Sequence, residues 1–108
     1  MTATSRLTLA DVLAGHARAR PHGVALADGE VHLTWPELSA RVAKLAGALA
    51  ADGVGLGSRV LWVGQNSFRL QELLLACSQL GAWFCPANWR QTPDELAFAI
   101  DDLSPRVV

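Results

Sequence analysis

From Arg59 to Val108 short apolar runs alternate with helical stripes, and this alternation restricts the chain more than any other feature. Residues 59–63 form an apolar run, and Ser67 to Leu80 sets Leu70, Leu73, Leu74, Cys77 and Leu80 at helical spacing. Gly81 follows where a helix C-terminus favours a left-handed residue. Residues 83–86 make a second run, and Thr92, Pro93 and Glu95 supply a cap, a first-turn proline and a capping carboxylate for a helix carrying Leu96, Ile100 and Leu103. Pro105 closes that helix, and Arg106 to Val108 begins a third run. Strand, helix, strand, helix and strand at this spacing imply parallel pairing through right-handed crossovers. The fold class expected is therefore α/β, with a βαβαβ unit over 59–108 and a helix, a hairpin and a long helix over 1–58. Together, 1–108 reads as one incomplete segment of a domain.

The earlier half supports the same reading. Thr8 to Asp11 is a candidate capped start for a helix with Leu9, Val12, Leu13 and Ala17 on one face, ended by Pro21. Val24 to Ala27 and Val31 to Thr34 flank Asp28-Gly29-Glu30, which predicts a tight hairpin with Val24 and Leu26 in step with Val31 and Leu33. Thr34, Pro36 and Glu37 then repeat the capping pattern ahead of Leu38, Val42, Leu45 and Leu49, and Gly53 ends the helix.

Composition narrows the function classes. Nine Lys and Arg against ten Asp and Glu leave a formal charge of -1 with no run of like charge, which argues against a nucleic-acid surface. Hydrophobic content is 51%, yet charged or polar residues interrupt every apolar stretch before it reaches membrane-spanning length. Met1 to Arg6 lacks a hydrophobic signal core, so a cytoplasmic location is the default expectation. Cys77 and Cys85 have neither metal nor redox spacing and read as small core hydrophobes; His16, His22 and His32 share no ligand spacing. The glycines of residues 53–57 leave a helix and enter a strand, the reverse of a phosphate-binding glycine loop, so they read as a turn.

Two polar clusters remain, Gln65-Asn66-Ser67 and Asn88-Trp89-Arg90-Gln91, with whatever follows Val108 as a third. Both follow expected strands, and ligands of open parallel sheets bind outside the carboxyl ends of the strands. Structural roles compete: Asn66 or Ser67 can cap a helix, and Arg90 can pair with Asp94 or Glu95 or bond a loop carbonyl. Trp62 and Trp83 lie in apolar runs and read as packing residues, whereas Trp89 sits in the polar loop. No Ser-His-Asp or Cys-His arrangement is recognisable.

Taken in order, Leu33-Thr34-Trp35-Pro36-Glu37-Leu38, Gly57-Ser58-Arg59-Val60, Asn66-Ser67 before a Leu-rich helix, Leu80-Gly81-Ala82, Pro86-Ala87-Asn88-Trp89-Arg90 and Thr92-Pro93-Asp94-Glu95-Leu96 resemble the opening of the adenylate-forming (AMP-binding) enzymes. The Asn88-Trp89-Arg90 loop followed by residues 92–97 is more similar to fatty acyl-CoA synthetases than to peptide synthetases. The resemblance implies the large N-terminal domain of that fold. It also implies activation of a carboxylic acid with ATP and magnesium to an acyl-adenylate, then a thioester with coenzyme A. The family's phosphate loop, ribose-binding aspartate and catalytic lysine would all lie past Val108, so the resemblance assigns no catalytic, cofactor-binding or metal residue to this chain. ATP, Mg and CoA are expected only for a longer family member, as is the carboxylic acid substrate. The expected partner is the remainder of a synthetase, or a second copy, because an unfinished parallel sheet leaves backbone groups unpaired. A stand-alone interaction module on the same scaffold is the alternative, and a small-molecule site built by Asn66 and Asn88 to Arg90 alone is the third reading.

Overall fold

The computed structural model describes residues 9–108, so the expected cap at Thr8 lies outside the described residues. In chain order the elements are α1 (Leu9–Ala19), β1 (Val24–Asp28), β2 (Val31–Thr34), α2 (Trp35–Ala51), β3 (Arg59–Val63), α3 (Phe68–Leu80), β4 (Trp83–Ala87) and α4 (Pro93–Leu103). β1 and β2 pair antiparallel, and β3 and β4 pair parallel as a separate sheet. The molecule is thus of mixed α/β class.

The hairpin turns through Gly29 and Glu30 alone, because Asp28 already pairs with Val31, and Gly29 adopts φ +60°. Its first strand departs from the expected alternation. Val24 pairs with Thr34 and Leu26 with Leu33, leaving Ala25 as an extra residue in a bulge. Val24 is consequently 59% exposed, while Ala25 and Leu26 both pack against the core.

Thr34 caps α2 as the sequence predicts. Its hydroxyl accepts from the Glu37 N–H at 3.2 Å, and the Glu37 carboxylate accepts from the Thr34 N–H at 2.9 Å. Leu38, Val42, Ala46 and Leu49 of α2 are buried, and with Leu13, Leu33, Val54, Val60, Ala76 and Cys77 they make the core. Two expected faces shift. In α1 only Leu13 is buried, and Leu9 and Val12 are exposed. In α3 the buried line runs through Glu72, Ala76 and Cys77 instead of through Leu70 and Leu74. α3 packs beside α2, where Ala76 is completely buried and small enough for close approach, and Glu72 finds a partner on α2 that the leucines could not use.

β3 is the central strand of its sheet. Val60 lies beside Phe84 of β4 on one side and bridges Val107 in parallel on the other, with the Leu61 N–H donating to the Val107 carbonyl at 2.9 Å. The third run therefore joins on the far side of β3 from β4. Val60, Phe84 and Val107 form a row facing the core. Leu61 and Cys85, one residue on, face the opposite side, where Cys85 and α4 wall one cleft. Two right-handed crossovers leaving in opposite directions put their helices on opposite faces of a sheet.

β4 is built as an edge. The Trp83 N–H donates to the Ser58 carbonyl at 2.7 Å, so alternation turns the Phe84 and Pro86 nitrogens outward, and Pro86 has no N–H to offer. Trp83 is 67% exposed, which corrects the expectation that it packs inward. The glycine turn behaves as a turn: Gly53 (φ +90°) and Gly57 (φ +79°) carry α2 into β3. A Cβ on Gly53 would collide with the Arg106 guanidinium, which donates to the Asp52 carbonyl at 3.0 Å.

Candidate functional site

Because β3 and β4 are adjacent and parallel, the loops after Val63 and Ala87 leave the same end of the sheet. Each is held by short hydrogen-bonded turns and side-chain caps. In the first, Ser67 caps α3 by accepting from the Arg69 N–H at 3.3 Å, and Asp28 of the hairpin reaches across to accept from the Phe68 N–H at 2.9 Å. Two carboxylate or hydroxyl oxygens thus occupy donors of the α3 N-terminus that an anionic ligand would otherwise use. The Trp62 indole N–H donates to the Gly64 carbonyl at 3.2 Å, and its ring lies so close that a Cβ on Gly64 would meet it at 2.9 Å. Gln65 and Asn66 are exposed.

In the second loop the Asn88 side chain accepts from the Arg90 N–H at 3.0 Å, and its carbonyl accepts from the Gln91 N–H at 3.1 Å. The Arg90 guanidinium does not take up the pairing with Asp94 or Glu95 that the sequence allows; it lies over the Trp89 ring, 4.9 Å from the centroid. Glu95 is engaged elsewhere, accepting from the Thr92 N–H at 3.1 Å in a second capping box. The Thr92 hydrogen bonds hold its carboxyl below the ordinary range, as those of Thr34 do for Glu37, with the backbone N–H bond the larger cause in both. Gln91 carries a buried Oε1 with no donor, an arrangement that costs about 1–3 kcal/mol.

Sequence reasoning did not find the Arg41–Glu72 pair. Glu72 is 5% exposed in the middle of a Leu-rich helix, and Arg41 of α2 meets it with both Nε and Nη2, the latter at 3.2 Å from Oε1. The Glu72 hydrogen bond, and next its charge, raise the Arg41 pKa further. Arg41 and Arg69 also approach the Phe68 ring, at 5.6 and 5.5 Å from its centroid. A lone Glu among leucines was the available signal, but its partner lies 31 residues away, beyond any local pattern.

Two clefts flank the β3–β4 sheet. One, of about 740 Å³, lies between β4 and α4, with Cys85, Gln91, Asp94, Phe98, Asp102 and Leu103 among its walls. The other, of about 510 Å³, is apolar and borders Leu49, Val60, Trp62, Leu73 and Val107. Burial, and secondarily Cys85, pushes the Cys77 thiol up to about 11, so it stays protonated at neutral pH. The Cys85 thiol points back to the Trp83 carbonyl at 3.8 Å. Among the described residues no three His, Cys, Asp or Glu side chains are grouped so as to hold a metal ion. His16 stacks on Trp35 with ring centroids 4.6 Å apart. The glycine turn enters a strand and the α3 N-terminus is already capped, so neither is laid out as a phosphate cradle.

What the rim does share with known proteins is its whole framework. Residues 13–108 match the model of the AMP-binding enzyme family. The chain belongs to that family. The chain is 45% identical over 92 residues to feruloyl-CoA synthases of an Amycolatopsis and a Streptomyces species, covering 85% of the chain and 19% of each relative. It is 40% identical over 81 residues to a long-chain-fatty-acid–CoA ligase of Thermus thermophilus, covering 74% of itself and 15% of the relative. Among solved structures, a long-chain-fatty-acid CoA ligase from Rhodopseudomonas palustris superposes with a TM-score of 0.86 at 38% identity, over 92% of this chain and 25% of that one. The inhibitor-bound N-terminal domain of FACL13 from Mycobacterium tuberculosis gives 0.88 at 27% identity, over 94% and 26%. The fold is thus shared with part of the N-terminal domain of adenylate-forming enzymes. The chain spans about a fifth of the length of the curated relatives it matches.

Proposed function

We propose that this chain forms the first α/β layer of an acyl-CoA synthetase, an enzyme that activates a carboxylic acid with ATP to an acyl-adenylate and transfers the acyl group to coenzyme A. The supporting observation is the 45% identity to feruloyl-CoA synthases across 85% of the chain, joined by similarity to a long-chain-fatty-acid–CoA ligase. ATP, magnesium and CoA belong to that whole enzyme, which we assign to the cytoplasm. No helix among the described residues is long and apolar enough to cross a membrane. When bound, ATP would supply an adenylyl group to the carboxylate with pyrophosphate leaving, and AMP would then leave as the CoA thiol takes the acyl group. The residues described above contribute the scaffold on which such a site is mounted: β3 and β4 aim two capped loops at one rim, and the Arg41–Glu72 pair locks α2 to α3 beneath it.

The test is the mass of the species in its native cells, followed through the peptide from Leu45 to Arg59. A species several times the 11.5 kDa of this chain, releasing pyrophosphate with ATP and either ferulate or a long-chain fatty acid and forming the CoA thioester, is the expected result. A native size of 11.5 kDa with no acid-dependent pyrophosphate release overturns the proposal.

A second reading, an interaction module without catalysis, is favoured by one observation. Trp83 and Phe98 are 67% and 71% exposed beside the β3–β4 sheet. Recovery of a single stoichiometric partner with the 11.5 kDa chain, lost on Trp83→Ser, would select it.

A further inference from the structure

The two capping bonds at the start of α3 come from very different distances along the chain. Ser67 bonds the Arg69 N–H, and a capping side chain reaches the second or third N–H of its helix, not the first. The first, that of Phe68, is filled from 40 residues away by Asp28. This distant bond is the shorter, 2.9 Å against 3.3 Å, and its carboxylate faces the positive end of the helix dipole.

Asp28 is itself firmly placed. It is the last residue of β1 and pairs with Val31 across a turn that Gly29 shapes at φ +60°. Leu26, Val31 and Leu33 hold the hairpin to the core. The hairpin and the β3–β4 pair are separate sheets, and the bond from Asp28 to Phe68 ties the turn of one to the loop that leaves the other.

That loop, residues 64–67, is pinned at both ends. At its start the Trp62 indole N–H donates to the Gly64 carbonyl; at its end Asp28 holds Phe68, whose ring Arg41 and Arg69 flank. Gln65 and Asn66 between the pins are exposed at the rim, so their order depends on the pins.

We propose that Asp28 is a positioning residue for the rim. From the hairpin it fixes the first turn of α3 and, through it, the Gln65–Asn66 segment, so that the hairpin and this part of the rim move as one unit. The coupling is independent of the function proposed above, because it concerns the order of the rim and not the ligand the rim serves.

Amide hydrogen exchange and nitrogen relaxation of the whole chain test it. Asp28→Ala is expected to speed exchange of the Phe68 amide about tenfold and to increase fast motion at Gln65 and Asn66, leaving Asn88 to Gln91 as they were. Asp28→Asn keeps an acceptor oxygen and should recover most of both effects. Thr34→Ala controls for lost stability, since it weakens the start of α2 with Asp28 in place, and it should leave the order of Gln65 and Asn66 unchanged. Phe68 exchange or Gln65 and Asn66 motion unaltered by Asp28→Ala overturns the proposal. So does an equal loosening of both rim loops, or the same loosening of Gln65 and Asn66 by Thr34→Ala.

Discussion

α2 and α4 begin with the same local code and end in different circumstances. Each is capped by a threonine whose hydroxyl and N–H exchange hydrogen bonds with a glutamate three residues on, and each has proline in its first turn. α2 then buries Leu38, Val42, Ala46 and Leu49 against two other helices and both strands of the hairpin, whereas α4 buries none of its residues. Capping satisfies the backbone donors at a helix start and so decides where a helix begins. How strongly the helix is held depends on the surface it meets, and α4 buries none of its side chains.

The largest effect expected from this difference comes from the same truncation in both helices. Leu38→Ala, at a site 4% exposed, should cost about 2–5 kcal/mol in urea unfolding, while Leu96→Ala in half-exposed α4 should cost less than about 1.5 kcal/mol. Equal losses would mean that α4 is packed as tightly as α2. Next comes the pair that joins α2 to α3. Arg41→Ala strands the buried Glu72 carboxylate and is expected to cost about 1–3 kcal/mol. Adding Glu72→Leu should recover most of that, and a failure to recover would assign the loss to Arg41 packing on Phe68 instead.

Removing the caps is expected to cost about 1 kcal/mol each, and here the two helices should separate by observable rather than by size. Thr34→Ala lowers global stability because α2 unfolds only with the core. Thr92→Ala accelerates hydrogen exchange within α4 while the urea midpoint stays nearly unchanged. A global shift from Thr92→Ala would join α4 to the cooperative unit.

The smallest effect is the dependence on pH. Glu37 and Glu95 both lie below their ordinary value of 4.5 in the folded chain, so the stability they contribute is present above 4.5 and is lost as the pH falls through their lower folded values. Glu37→Gln keeps an acceptor for the Thr34 N–H without a titrating group, so the stability gap between it and the unaltered protein should close as the pH is taken below 4.5. A gap that persists in acid would mean that the charge is not its source.

Much of this was legible locally. Thr34, Gly81, Thr92 and the glycine turn at Gly53 and Gly57 mark element boundaries because caps and left-handed residues act within a few residues of themselves. The candidate rim was half legible. Both loops leave one end of the sheet; Ser67 caps α3, as the sequence allowed, while Arg90 lies on Trp89 and not on Asp94 or Glu95, because the adjacent ring is within its reach.

Periodicity and capping in the sequence were sufficient to determine the alternation of elements and where α2, α3 and α4 start, and the ordered motifs carried the resemblance to the AMP-binding family. Which leucines of α1 and α3 are covered, the seating of Glu72 on Arg41, the exposure of Trp83 and the placing of Val107 across β3 from β4 were decided by tertiary structure. Hydrogen-bonded turns are short-range and can be read along the chain. Burial and ion pairing depend on which surfaces meet, and residues 31 or 47 positions apart, such as Arg41 with Glu72 and Val60 with Val107, meet only in the folded molecule.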